Sequence, residues 1–318
     1  PRSRPLYSSA ASDAYKRPVS SSLEIKVCRQ KISQGVMYLD WKGPILDDHF
    51  HLNRNGRFLD AAKDFIRAGG TDLVLVHCPN FAYPPSTKRG HEEAYQDTIK
   101  ISQEVRNLGI SVRVILGPHP AAFAHQFETL GDRAEENYWD SIDAAMHFVR
   151  EGQAHGIGEV GRPHWKVSDD TWDRSNKLLL ETMTLAAKEG IPLQLHVEGE
   201  SDETYGDLAK MADKAGLSKE RVVRHYAPSR IDQSYTHGIT PSVLAGSGSI
   251  DQIMKTHKES SHGFMLETDY IDDPKRPGAV LGPKTVPKRT RQLLAAGLDE
   301  EILYNCHLDL PNRIYGEI

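Results

Sequence analysis

Apolar positions in this chain fall into short runs separated by longer amphipathic stretches, and the two kinds alternate from Pro44 onward. The runs occupy 45–51, 72–77, 112–117, 156–161, 192–196, 221–225, 238–243 and 263–269, each of strand length and most rich in Val, Ile and Leu. Between them, apolar residues at helical spacing predict helices over about 57–68, 92–108, 137–153, 170–189, 202–215, a weak 229–235, 249–257 and 286–296. Gly69-Gly70, Gly109, Gly190 and Gly216 close four of these segments, where a left-handed residue ends a helix. Such alternation implies right-handed βαβ units and a parallel sheet. Eight units predict an α/β fold, a closed (β/α)8 TIM barrel. A doubly wound open sheet would carry a Gly-rich phosphate turn after its first strand, and none follows His51. Pro241 must sit near the end of its strand, because it cannot donate to a central ladder.

Residues 1–43 do not share this pattern. They hold Pro1, Pro5, Pro18 and six serines between Ser8 and Ser22 without an apolar stripe, so they are expected to form a partly irregular N-terminal extension to a barrel domain at 44–318. Within them, Leu23–Val27 alternates like a strand that could edge or cover the barrel. The chain begins with Pro1, and Met37 would be a plausible start before the first strong strand. Composition narrows the class further: 39 Lys+Arg against 44 Asp+Glu give a net charge of −5, which argues against a broad nucleic-acid-binding surface. No apolar run approaches the roughly 18 residues of a membrane span and no secretory h-region is present, so a cytoplasmic protein without a membrane partner is expected. Three distant cysteines, Cys28, Cys78 and Cys306, exclude a disulfide framework or a zinc ribbon.

The candidate chemistry lies at the ends of the runs. The first closes on Asp47-Asp48-His49-Phe50-His51; strand alternation would put Asp47, His49 and His51 on one face, with both imidazoles able to reach one ion. An isolated His-x-His occurs by chance and carries little weight. Its weight comes from company: Glu159, His196, His225 and Asp269 close the fourth, fifth, sixth and eighth runs. In a barrel those ends share the rim where catalysis is placed. Four imidazoles and two carboxylates suit a pair of borderline divalent ions, whereas burying them unpaired would be costly. The competing reading is of satisfied polar groups that merely finish the strands.

His49-Phe50-His51, Glu159 in Ile157-Gly158-Glu159-Val160-Gly161, His196, His225 and Asp269 in Glu267-Thr268-Asp269 resemble the metal-site series of the TatD-related branch of the amidohydrolase superfamily. Gly117-Pro118-His119-Pro120 is similar to that branch's Gly-x-His-Pro element. The likeness runs from about Ile45 to the C-terminus. Glu159 stands where other branches use a carboxylated lysine. The resemblance implies a binuclear site, with His49, His51 and Asp269 on one ion, His196 and His225 on the other, and Glu159 bridging. Zinc is expected first, with manganese or magnesium as alternatives. Two departures, Gly161-Arg162-Pro163-His164-Trp165 after Glu159 and the long segment after Asp269, look more like an archaeal-type group of uncharacterised hydrolases.

Two such ions activate water, so hydrolysis is the expected reaction, with Glu159 and Asp269 as catalytic carboxylates. Asp269 would take the proton of the attacking water and return it to the leaving group, or act as ligand only. Arg162, His164, Lys275 and Arg276 are candidate binders of an anionic substrate, against the alternative of a solvated basic loop balanced by Asp272 and Asp273. His119 would orient water or phosphate, or simply form a rigid turn; His77 and Cys78 are expected to be packed. The favoured substrate is a phosphodiester, as a small anion or a nucleic-acid end. The alternatives are an amide, lactone or ester hydrolase and a barrel kept as a non-catalytic scaffold. A homo-oligomer is a further expectation, though nothing in the sequence itself specifies the oligomeric state.

Overall fold

A computed structural model of the protein describes residues 41–199, 202–273, 275 and 280–318; the strand expected at Leu23–Val27, Met37, Cys28 and Arg276 lie outside them. Eight strands form one parallel sheet in sequential order: β1 Leu46–Phe50, β2 Asp72–Val76, β3 Ser111–Leu116, β4 Gly156–Gly161, β5 Leu193–His196, β6 Val222–Ala227, β7 Thr240–Leu244 and β8 Met265–Glu267. The helices are α1 Leu59–Arg67, α2 Lys88–Arg106, α3 Pro120–Leu130, α4 Asp132–Arg150, α5 Asp169–Glu189, α6 Asp202–Ala215, α7 Gln233–Thr236, α8 Ser249–Thr256, α9 Thr285–Ala295, α10 Glu300–Tyr304 and, beyond a π-helical turn at Asn305–Asp309, α11 Leu310–Tyr315. The chain is a (β/α)8 TIM barrel. None of the described helices is long and apolar enough to cross a membrane.

The sequence pattern does not predict α3, α10 or α11. For α3 the reason is local: His119 accepts the Ala121 N–H at 3.0 Å and Pro120 occupies the first helical position, so the Pro-His-Pro segment that resembles a rigid turn starts a helix. Pro241 is the second residue of β7, near the strand's start.

The barrel closes at a seam between β8 and β1. One parallel bridge joins Phe50 to Tyr270, with the His51 N–H donating to the Tyr270 carbonyl at 2.8 Å. Asp47 supplements it, accepting from the Thr268 N–H at 2.9 Å and the Thr268 hydroxyl at 2.7 Å. Beyond the seam, buried Asp272 accepts from the backbone N–H groups of Asn53, Arg57 and Phe58 at 3.1, 2.7 and 2.7 Å, tying the loop after β8 to the start of α1. Gly56 is required there, since a Cβ would stand 2.4 Å from the Asp272 carboxyl carbon.

Alternation along β2 separates the core into two faces: Leu73 and Leu75 pack outward against helices, Val74 and Val76 inward. The inner cluster combines Leu46, Val74, Val76, Ile115, Val223 and Met265 with Leu310, Ile314 and Tyr315 of α11. The α11 helix therefore plugs the end of the barrel where the strands begin. His307, in the π turn, accepts the Leu46 N–H at 3.1 Å, and the Tyr315 hydroxyl accepts from Gln194 at 3.1 Å beneath the opposite mouth.

Candidate metal centre

Three strands are irregular, and each irregularity falls on a residue of the predicted site. Asp47 to Phe50 of β1 spans three steps opposite two in β2; Ile157 to Val160 of β4 does the same against β5, and Arg224 to Ala227 of β6 against β7. An extra residue in a strand re-aims the side chains after it. His49, Glu159 and His225 lie inside these three bulges. The β1 bulge also overturns the expectation that Asp47 shares a face with His49 and His51: its carboxylate is committed to Thr268 at the seam.

Around Glu159, 4% exposed at the base of the mouth, the imidazoles gather in two pairs. His49 Nε2 and His51 Nε2 lie 3.0 Å apart, and 3.7 and 3.5 Å from Glu159 Oε1. Asp269 Oδ1 is 3.8 and 3.7 Å from the same two nitrogens. On the other side, His196 Nδ1 and His225 Nε2 lie 2.9 Å apart and 2.8 and 2.9 Å from Glu159 Oε2. One oxygen of Glu159 faces each pair. Donor atoms bound at about 2.0–2.1 Å around a tetrahedral ion are separated by roughly 3.3 Å, and both groups cluster near that spacing.

The hydrogen bonds behind these atoms fit a cation as well. His51 Nδ1 reaches the Val76 carbonyl at 3.1 Å, so its proton sits there and Nε2 presents a lone pair. His225 Nδ1 lies 3.4 Å from Glu267, leaving its Nε2 toward the cluster. His49 Nδ1, His196 Nε2 and His225 Nδ1, the last within ion-pair distance of Glu267 only, are buried without hydrogen-bond partners, so proton sharing among the imidazoles alone does not satisfy the group. Electrostatics point the same way. Burial opposes ionisation of Glu159, yet the surrounding imidazoles, His119 first among them, hold its carboxyl well below the usual range. Burial likewise opposes a charged His225, and Glu159 overcomes it, raising that imidazole well above its ordinary value. The cluster thus draws positive charge to the positions where ions would sit. Burial pushes Asp269 up to about 7 and His51 down to about 3.

Glu267 is the functional residue that strand-end reasoning passes over. It is fully buried two residues before Asp269, and one carboxylate oxygen both faces His225 Nδ1 and accepts the Tyr226 N–H at 2.7 Å. Its signal in the sequence is the acidic pair in Glu267-Thr268-Asp269, where the first carboxylate faces His225 and the second faces the His49–His51 pair. Tyr226 and Asp269 both adopt left-handed backbone conformations, at φ 51° and 46°, strained positions that the site's contacts hold in place.

The candidate substrate binders divide. His119 stands against the centre, its ring 4.5 Å from His196 and its Nε2 3.6 Å from Glu159 Oε2. Because its Nδ1 caps α3, the neutral ring carries its proton on Nε2, which makes it a donor toward the site. His164 is exposed at the mouth, its ring 5.0 Å from His196. Arg162 corrects the sequence reading. It is buried, paired bidentately with Glu198, bonded to Asn176 at 3.0 Å and laid over Trp172, so its guanidinium is used up holding the loop after β5. Gly161 permits this turn: its φ is 154° and a Cβ would fall 1.9 Å from the His196 carbonyl oxygen. Lys275 is exposed beyond β8, its backbone N–H donating to Asp273. Asp272, expected to balance that basic loop, is buried at the seam instead. His77 bonds Thr98 at 2.8 Å and belongs to the packing between β2 and α2.

The parallel eight-stranded barrel thus carries, at its C-terminal mouth, paired imidazoles about a shared carboxylate, a donor set that could hold divalent ions. Residues 46–316 match the model of the TatD-related DNase family, and the chain belongs to that family. It is 36% identical over 279 residues to the uncharacterized protein MJ1127 of Methanocaldococcus jannaschii, an alignment covering 86% of this chain and 95% of the relative. Among solved structures, the TatD homologue YjjV of Escherichia coli K12 superposes with a TM-score of 0.58 at 17% identity, covering 86% of this chain and 98% of that one. The phosphotriesterase homology protein of Escherichia coli, solved with phosphate in its active site, gives 0.58 at 14% identity over the same shares. At such identities these likenesses speak for the fold.

Proposed function

We propose that the chain hydrolyses phosphodiesters, as small anionic esters or at a nucleic-acid end, with two divalent ions. One would be held by His49, His51 and Asp269, the other by His196 and His225, with Glu159 shared. The observation that carries this reading is the division of the two Glu159 oxygens between two imidazole pairs. A set of four imidazoles and two carboxylates favours zinc over magnesium, with manganese between them. When bound, such ions lower the pKa of water toward neutrality and polarise the attacked ester. Asp269 accepts the proton of the attacking water and returns it to the leaving oxygen. His119 directs its Nε2 proton at the developing negative charge, and Glu267 keeps His225 in the orientation the site needs.

A second reading, hydrolysis of a lactone, carboxyl ester or amide, is favoured by Arg162: its pairing with Glu198 removes the guanidinium best suited to clamp a phosphate. Elemental analysis together with chromogenic phosphodiester, phosphomonoester, lactone and amide substrates separates the two. Phosphodiester turnover by the zinc- or manganese-loaded protein, lost in His196→Ala together with metal, is expected. No turnover of any substrate, with unchanged metal content in His196→Ala, overturns the hydrolase site as drawn.

A further inference from the structure

Most large apolar side chains of the described residues are buried; the exposed ones are Phe81, Tyr83, Leu130, Trp165, Tyr226, Tyr304, Leu308 and Ile318, and three of these are aromatic rings linked by ring contacts to the candidate metal centre. Phe81 is 53% exposed, Trp165 39% and Tyr226 49%. Each stands over the candidate metal centre. Phe81 meets His119 edge-on with ring centroids 5.1 Å apart, and His119 lies 4.5 Å from His196. Trp165 meets His164 at 5.0 Å, which is again 5.0 Å from His196. Tyr226 follows His225 directly, their rings 6.2 Å apart, and His225 is 5.0 Å from His196. Three exposed aromatic rings therefore reach one imidazole, each through a single intervening ring.

Their exposure is imposed by the backbone. Tyr226 sits in the β6 bulge at φ 51°, a costly conformation for an aromatic residue, held by the Glu267 carboxylate on its N–H. Phe81 rides on a loop stiffened by Pro79, Pro84 and Pro85, whose Pro85 carbonyl accepts from Asn137 at 3.0 Å. Trp165 follows the turn anchored by Arg162. Exposed rings fixed in this way keep their faces available without losing much freedom on binding. Grouped apolar rings at the lip of a polar centre mark a ligand surface.

We propose that Phe81, Trp165 and Tyr226 form a stacking rim that selects substrates carrying a planar ring beside the hydrolysed bond. The ligand chemistry is an aromatic or heteroaromatic ring one or two bonds from an anionic ester, as in a mononucleotide ester or the terminal base of a single strand. This rests on the reading of the centre as hydrolytic for the anionic end of the ligand, while the rim itself needs no turnover.

The test is accordingly an equilibrium one on the zinc-loaded protein, using benzylphosphonate against cyclohexylmethylphosphonate, two anions of similar size and basicity that differ in planarity. Calorimetry should show the benzyl compound bound about ten-fold tighter. Phe81→Leu, Trp165→Leu and Tyr226→Leu should each reduce that ratio, and the triple variant should bring it near one. Tyr304→Leu, which removes an exposed ring packed on Trp41 away from the mouth, should leave it unchanged. Thymidine 5′-monophosphate and a short oligothymidylate then distinguish the two sources, since a further gain with the oligomer assigns the rim to strand ends and equal affinity assigns it to single nucleotides. Equal binding of the two phosphonates by the wild type, no binding of either, or a preference that survives the triple variant overturns the rim. Failure of all substrates to turn over, with the benzyl preference intact, would overturn the hydrolytic reading and leave the rim standing.

Discussion

Two acidic side chains of the centre do different work at the scale of single residues. Glu159 faces both imidazole pairs, so Glu159→Gln removes a charge that both depend on. On the proposed two-ion reading, bound metal should fall from two equivalents toward none, with activity down at least about a hundred-fold, and inductively coupled plasma analysis of dialysed protein reads the stoichiometry. Glu267 faces His225 and accepts the Tyr226 N–H. Glu267→Gln should weaken metal binding by about 10–100-fold while keeping the ligand set, as measured by competition with a chelating dye. A wild-type affinity in this variant would reduce Glu267 to a backbone support for Tyr226.

For whole elements, the π turn between α10 and α11 fixes the closed end of the barrel through His307. Burial pushes this imidazole down to about 4, and protonating Nδ1 would also break its bond to the Leu46 N–H. Its folded pKa is below the free value of about 6.5, so the unfolded chain takes up the proton first. The contribution is complete above about pH 6.5 and is lost as pH falls toward 4, amounting to about 2 kcal/mol between pH 8 and 5. Urea titrations of the wild type and His307→Gln over that range should show the variant with the shallower dependence. How far elements could be read from the sequence follows from the same geometry. Strand ends are legible because apolar runs stop where the rim begins, so His49, Glu159, His196, His225 and Asp269 announce themselves by position. The bulges are not, because an inserted residue leaves no mark in a period-two pattern only five or six residues long, and strand alternation therefore puts Asp47 on the face of His49 and His51, where it does not lie. Arg162 misled for another reason: a cation next to a site reads as a ligand binder until its carboxylate, 36 residues further on in Glu198, is seen beside it.

At the scale of the molecule, the candidate centre gathers donors from five strands, and a cation held there binds the folded barrel and not the unfolded chain. Zinc at about a hundred times its dissociation constant should stabilise by about 2.7 kcal/mol per site, raising the melting temperature by roughly 5–10 °C, and a chelator should reverse it. Differential scanning fluorimetry with and without metal checks this, and a melting temperature indifferent to both would speak for a barrel that keeps the residues without the ions. The seam supplies a second stability test. Asp272→Ala would leave three backbone donors of the α1 entry without their acceptor, at a cost of about 3 kcal/mol.

That same seam bears on the order in which the chain folds. Its bonds join residues very far apart in sequence: Asp272 to Arg57 across 215 positions and Asp47 to Thr268 across 221. Neighbouring strands β1 to β8 can pair one after another by short loop closures, whereas the joint between first and last requires nearly the whole chain to be in place. Contacts of that span are expected to form late, a hypothesis that φ-values at the seam test. Weakening the seam through Asp272→Ala should on that hypothesis leave the refolding limb of a chevron almost unmoved and raise the unfolding rate, making the closure a determinant of how long the barrel lasts.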